Sequence, residues 1–249
     1  MTAWQRIQTC FDRAASDYRQ LAVAQEQLGQ LIWQRRPATA TRIVDLGCGP
    51  GHWSAALQSA YPQAAVMGVD LSEGMLRQAR QDYPHLHWVQ ANAARLPFAK
   101  ESQELIFSNL AVQWCCHFPG FFDQLQRLLV PGGRALMTSL LPGSLEEIDQ
   151  AWRQAGLASR VLPFMPLQAY QGLLEAAGFA GIHLEASRQV FYYPSSRELL
   201  KSVSGVGASG TPGRLRRENY RRVHQQLEAR RTEQGLPLTY QVLIMELSA

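Results

Sequence analysis

Short apolar runs that stop at an acid or a glycine alternate along this chain with stretches whose apolar residues recur every three or four positions. In residues 1–36, Trp4, Ile7, Phe11, Ala14, Tyr18 and Leu21 step at that helical interval, predicting one or two amphipathic helices that Pro37 ends. A strand is expected at 42–46, then a glycine loop and a helix over 51–60. A second strand covers 65–70, with Ser72 as the N-cap of a helix reaching Tyr83. Strands at 86–91 and 104–108 follow, then a helix at 119–129 that stops before Pro131-Gly132-Gly133, and a strand at 134–140. Residues 142–165 break the rhythm with prolines, glycines and aromatic residues, as a lid or substrate segment would. The core resumes with a helix over 166–177, Gly178 as its stop and a strand at 181–190. A Gly/Ser-rich loop (202–210), an arginine-rich helix (212–233) and a final strand (236–247) complete the chain. Strands alternating with helices predict an α/β fold, a mostly parallel sheet with helices on both faces.

Composition narrows the class. At 249 residues, 46% apolar and 18% charged, the chain suits one large domain over 1–249. Its organisation reads as lid helices (1–36), a ligand-binding core (42–140) and two substrate- or partner-binding insertions (142–165 and 195–233). No apolar stretch approaches the ~18 residues of a membrane span, and the N-terminus carries no apolar signal core. Cys10, Cys48, Cys115 and Cys116 have no metal-ligand spacing, so reduced thiols in a cytoplasmic protein, and no metal, are expected. The net charge of +4 is uneven, with arginines crowded into 213–231. That local feature does not make the chain a nucleic-acid binder.

Candidate chemistry concentrates in Ile43-Val-Asp45-Leu-Gly47-Cys-Gly49-Pro-Gly51 and in Val66-Met-Gly-Val-Asp70. In an open α/β sheet, ligands sit beyond the carboxyl ends of the strands, and an acid at the second strand tip accepts bonds from ribose hydroxyls. Glycines let the backbone approach such a ligand. A dinucleotide fingerprint would put its third glycine at position 52, where His52 stands; the glycine comes one residue early. The D-x-G-x-G-x-G pattern of Asp45–Gly51 resembles motif I of the class I S-adenosylmethionine-dependent methyltransferases. That cofactor has no phosphate and carries an ammonium and a sulfonium, so Asp45 is welcome beside the loop. The resemblance implies a seven-stranded sheet whose last strand is antiparallel. It implies cofactor contacts from Gln25, Asp45, Gly47, Cys48, Gly49, Gly51, Asp70, Leu71, Met75, Asn92, Ala93 and Asn109. Asn92 stands where the family usually has an Asp for the adenine amino group; its carbonyl can still accept that bond.

A narrower resemblance rests on Phe11-Asp-Arg-Ala-Ala-Ser-Asp-Tyr18, Ser108-Asn-Leu-Ala-Val-Gln-Trp114, Pro142-Gly-Ser-Leu-Glu146 with Ala151-Trp152, Lys201-Ser-Val-Ser-Gly-Val-Gly207 and Pro237-Leu-Thr-Tyr240. These segments are similar to the malonyl-acyl-carrier-protein O-methyltransferases of biotin synthesis. The resemblance implies methyl transfer to the free carboxylate of a malonyl thioester on acyl-carrier protein, or on CoA. A malonyl carboxylate, with a pKa near the ~4 of side-chain acids, is already ionised at neutrality and needs no general base. Tyr18 is expected as a lid over the cofactor, Gln113 and Trp114 as acceptor-side residues. Arg214, Arg217, Arg221 and Arg222 are expected to face an acidic carrier protein, with Leu215, Tyr220, Val223 and Leu227 packing inward. A monomer is expected, without nucleic-acid or membrane partners. The alternatives are a methyltransferase for a free small molecule, a non-catalytic cofactor-binding protein and an RNA methyltransferase suggested by the basic helix.

Overall fold

Leu105, Ile106 and Phe107 are consecutive and fully buried, yet they serve two cores: Leu105 and Phe107 face one side of a sheet and Ile106 the other. Only a strand covered on both faces does this, which is why it reads as a continuous apolar run. The computed structural model describes residues 3–15, 18, 23–115, 120–204 and 217–249. Its helices are α1 (Ala3–Ala14), α2 (Val23–Trp33), α3 (His52–Ala60), α4 (Glu73–Asp82), α5 (Val112–Cys115), α6 (Phe121–Leu128), α7 (Glu146–Gln154), α8 (Leu167–Ala176), α9 (Ser196–Ser204) and α10 (Arg217–Glu228). Its strands are β1 (Arg42–Leu46), β2 (Ala65–Asp70), β3 (His87–Gln90), β4 (Gln103–Ser108), β5 (Leu129–Leu140), β6 (Gly181–Tyr193) and β7 (Leu236–Ser248).

The sheet order is β3-β2-β1-β4-β5-β7-β6. The first five pair in parallel, and β7 runs antiparallel to both β5 and β6. This is the expected α/β class: seven strands, mostly parallel, the last one reversed. Strand order turns back between β1 and β4, so their carboxyl ends open a crevice there. On one face α2 and α3 bury Leu28, Ile32, Trp53 and Leu57, joined by Ile148 and Trp152 of α7; on the other lie Phe121, Leu125, Tyr170 and Leu174.

Several expected boundaries shift. Pro131-Gly132-Gly133 lies inside β5 as an irregularity, where pairing jumps from Gln103↔Leu129 to Leu105↔Arg134. The 142–165 stretch contains α7, and 195–233 contains α9 as well as α10. Arg214, Leu215, the first residues of the expected 212–233 helix, Cys116 and Leu21 lie outside the described residues.

Candidate active site

At the β1 and β2 tips the backbone builds the cleft. Gly47 and Cys48 N–H both donate to Val69 O, at 2.8 and 3.1 Å. The Asp70 carboxylate accepts Gly49 N–H at 2.9 Å on one oxygen and Ser72 N–H at 2.8 Å on the other. Leu71 N–H adds a further backbone donor, and the carboxylate, on the cleft wall, retains acceptor capacity beyond these bonds. Gly49 holds a φ of +53°, a left-handed conformation that glycine adopts without strain. Burial raises the Asp70 pKa, and the backbone donors offset part of that shift. Burial likewise pushes Asp45 up to about 7, opposed by the 2.6 Å bond from Ser54 Oγ and reinforced by Asp70. Two buried acids in mutual repulsion favour a ligand that brings hydroxyl donors to one and a cation to the other. An adenosine joined to an amino acid has both, so these residues fit S-adenosylmethionine.

The cleft, of about 700 Å³, is walled by Gly47, Gly49, Asp70, Leu71, Met75, Ala93 and Asn109, with Trp4, Ile7 and Phe11 of α1 across it. A neighbouring recess of about 600 Å³ takes in Gln25, Asp45, Cys48 and His52. Two hydrogen bonds to Asp12 tie α1 to the rim: its carboxylate accepts Ser72 Oγ at 2.5 Å and Gly74 N–H at 2.9 Å. A Cβ on Gly74 would lie 3.0 Å from the Asp12 backbone, so the approach depends on that glycine. Asp12 is 60 residues from Ser72, and only its acidity on a helix end could have drawn attention to it.

Beyond the β4 tip the character changes. Asn109 donates to Gln25 O at 2.7 Å and accepts from Thr138 Oγ1 at 2.8 Å, which ties α2 to β5. Leu110 follows at φ +53°, a strained conformation for a side-chain-bearing residue, of order 1–3 kcal/mol. Its carbonyl accepts Gln113 Nε2 at 2.6 Å. A second cavity, about 500 Å³, opens here. Phe11, Tyr18, Leu110 and Trp114 belong to its wall and to that of the first cleft; Gln25, Gln113, Leu140, Phe164 and Tyr240 are among the rest. The Phe11 and Trp114 rings meet edge-on at 5.3 Å. Three polar atoms on residues of this wall, Gln25 Oε1, Gln113 Oε1 and Tyr240 Oη, are buried without a hydrogen-bond partner among the described residues.

Sequence reading named most of these residues. Tyr18 lies on the wall of the main cleft, the recess and the second cavity. Burial first, then Asp70, Asp45 and Cys48, raise its pKa, so it stays a neutral phenol. Cys48 is held as a thiol by the same burial. Gly51 and Asn92 stand beside the cavities rather than on their walls. Gly51, at φ +88°, leaves the space that the Trp88 ring occupies, since a Cβ would come within 2.3 Å of it. Asn92 Oδ1 already accepts Ala94 N–H at 2.9 Å, so it is engaged in a turn. Asn109, with both amide ends engaged, works as a tie between elements as well as a wall. Arg217, Arg221 and Arg222 are exposed on α10 while Val223 and Leu227 are buried; Tyr220, expected inward, is 42% exposed against Trp152. Tyr240 belongs to the Pro237–Tyr240 motif, which by itself assigns it no role. Trp4, Ile7 and Asp12 join the site only in the folded structure, since in sequence they read as positions of an amphipathic helix.

Comparison with known proteins agrees with this geometry. A methyltransferase domain model matches residues 43–133, from β1 through the Pro-Gly-Gly of β5. The chain is 35% identical to the malonyl-[acyl-carrier protein] O-methyltransferase of Herminiimonas arsenicoxydans, over 96% of this chain and 94% of that one. It is 33% identical to the biotin biosynthesis bifunctional protein BioHC of Cellvibrio japonicus, over 97% of this chain but about half (49%) of the relative's length. The crystal structure of an S-adenosylmethionine-dependent methyltransferase from Mesorhizobium loti shares the fold, with a TM-score of 0.55 at 19% identity over 92% of this chain and all (100%) of that one. The chain therefore belongs to the malonyl-[acyl-carrier protein] O-methyltransferase family of S-adenosylmethionine-dependent methyltransferases.

Proposed function

We propose that this protein methylates the free carboxylate of a malonyl thioester on acyl-carrier protein, an early step of biotin synthesis, acting as a cytoplasmic monomer. The observation that carries this reading is the chemistry of the second cavity. Its described wall is apolar and aromatic, with two phenols and two carboxamides, and includes no Asp, Glu, His or Lys. An amine or alcohol acceptor would need a base to lose its proton, whereas a carboxylate arrives as a competent nucleophile. S-adenosylmethionine, when bound, supplies the electrophilic methyl on its sulfonium. The chain's own residues bind, orient and exclude water. Asp70 accepts the ribose hydroxyls, Asp45 faces the cationic end and Gln25 reaches the amino-acid part. Leu71, Met75 and Ala93 enclose the base. Tyr18, Phe11 and Trp114 form the shared wall, where desolvating the acceptor carboxylate strengthens it as a nucleophile.

In this reading α1 and α2 are the lid, 42–140 the cofactor core, and the segments holding α7, α9 and α10 bind the carrier. Arg217, Arg221 and Arg222 stand exposed to meet an acidic surface. Opposite charges at such a rim steer encounter more than they add affinity. The test is methyl-donor consumption with malonyl-carrier protein, malonyl-CoA, free malonate and RNA measured side by side. Turnover on malonyl-carrier protein well above free malonate and RNA is expected. Equal or faster turnover on free malonate would make this a small-molecule enzyme, and turnover on RNA alone would overturn the reading.

A further inference from the structure

Tyr240 is held in place by bonds on both sides of it, yet its own hydroxyl has no well-formed hydrogen-bond partner among the described residues; the Tyr193 side chain comes close enough to interact with it without completing a bond. On one side, Thr239 donates its N–H and its hydroxyl to Glu147, at 3.0 and 2.6 Å, and its carbonyl accepts Leu145 N–H at 2.7 Å. On the other, Gln241 N–H donates to Ser144 Oγ at 2.9 Å, and Gln241 O accepts Leu141 N–H at 2.8 Å. The ring meets Phe191 edge-on at 5.4 Å. These bonds join residues 141–147 to residues 239–241, almost a hundred positions away, around one phenol. Tyr240 is 2% exposed and on the wall of the acceptor cavity. A buried hydroxyl left unsatisfied is a cost to the fold. Such a cost, carried by a side chain fixed this firmly, marks a place where a ligand completes the bond.

The three unpartnered atoms of this cavity differ in kind. Gln113 Nε2 is engaged by Leu110 O, so its free oxygen is an acceptor, and Gln25 Oε1 is an acceptor too. Only the Tyr240 hydroxyl can donate. We infer that Tyr240 Oη donates a hydrogen bond to one oxygen of the acceptor's carboxylate, leaving the other oxygen to receive the methyl group. This assignment rests on the carboxylate-acceptor reading above. Burial first, then the nearby Tyr193 side chain, by its charge and by its hydrogen-bonding approach, and last Glu147 hold the phenol's pKa well above its ordinary value, so it donates at every working pH and never serves as base. Its contribution is orientation of the nucleophile and selection of acyl groups that end in a carboxylate.

The test is Tyr240→Phe in the full-length chain, which keeps the ring and removes the hydroxyl. Binding of malonyl- and acetyl-carrier protein to the S-adenosylhomocysteine-loaded enzyme is measured by calorimetry, alongside methylation rates and melting temperature. Wild type should prefer malonyl over acetyl. The variant should lose about 10- to 100-fold of that preference and of kcat/KM on malonyl-carrier protein, as expected for one bond to a charged group. S-adenosylhomocysteine affinity should be unchanged and the melting temperature equal or higher, because an unpaired buried hydroxyl has gone. If wild type methylates malonyl-carrier protein and Tyr240→Phe matches it, or weakens both thioesters equally, the assignment fails alone. A lower melting temperature with lost S-adenosylhomocysteine binding would make Tyr240 structural and also overturn it. If wild type does not methylate malonyl-carrier protein, the carboxylate reading fails and the assignment with it.

Discussion

The two ends of the active site are built in opposite ways. The cofactor end comes from one short loop and two adjacent strand tips, and its acids are already anchored by the fold: Asp70 by Gly49 and Ser72, Asp45 by Ser54. The acceptor end is assembled from side chains on α1, α2, the β4 tip, the β5–β6 connection and β7, and among the described residues it keeps Gln113 Oε1 and Tyr240 Oη buried and unpartnered, with Gln25 Oε1 open where the two ends meet. The difference teaches where selectivity lies. A backbone cradle is preorganised for one invariant ligand and tolerates little change. An acceptor cavity with open hydrogen-bond positions takes its specificity from whichever ligand completes them, and substitutions there should alter substrate choice before they alter the fold.

The sharpest way to break this contrast is at the cofactor end. Asp70→Ala removes the acceptor that orders the loop and the hydroxyls together, one or two charge-assisted bonds of about 1.5–3 kcal/mol each. S-adenosylhomocysteine affinity should fall roughly ten- to a thousand-fold or more by calorimetry. Unchanged affinity in a folded variant would mean that the strand-tip acid does not hold the ribose.

A smaller effect follows from Asp45. Its folded pKa, raised to about 7 from 3.8 by burial, means the unliganded fold favours the protonated acid and loses that stabilisation as pH climbs toward 7. A bound ammonium favours the ionised form. S-adenosylhomocysteine affinity should therefore rise with pH, approaching about tenfold per unit below 7 and levelling above it, with a proton released on binding. Calorimetry in buffers of different ionisation enthalpy would detect that proton; pH-independent affinity would separate Asp45 from the cationic end.

The smallest effect is expected at the rim. Reversing Arg217, Arg221 and Arg222 to Glu should raise KM for malonyl-carrier protein about three- to tenfold at low salt, and less at physiological salt where the Debye length is about 8 Å. Activity on malonyl-CoA should hardly move. Equal losses on both substrates would place carrier docking elsewhere.

The contrast also explains what could be read from sequence. Asp45, Gly47, Gly49 and Asp70 were legible because a contiguous loop and a strand tip fix their positions locally. The helix α7 was missed because proline and glycine precede it and Leu145, at φ +57°, starts it without a side-chain cap. The three- and four-residue spacing of Ile148, Ala151 and Trp152 was the available signal. For α9 the signal was Ser195 three residues before Glu198, whose N–H it caps at 3.2 Å. Tyr240 looked like any strand-forming aromatic. Its role depends on Glu147 and Ser144 fixing the residues on either side of it, which no local pattern encodes.

The central claim is that the acceptor comes to the site already ionised and that no residue need remove its proton. It is tested most directly by the single-turnover methylation rate of malonyl-carrier protein, with enzyme and methyl donor saturating, between pH 6 and 8. A carboxylate acceptor with a pKa near ~4 predicts a flat rate across that range, even while cofactor affinity changes through Asp45. A rate climbing about tenfold per pH unit would mean that a proton is lost from the acceptor in or before the methyl transfer. That result would contradict the account.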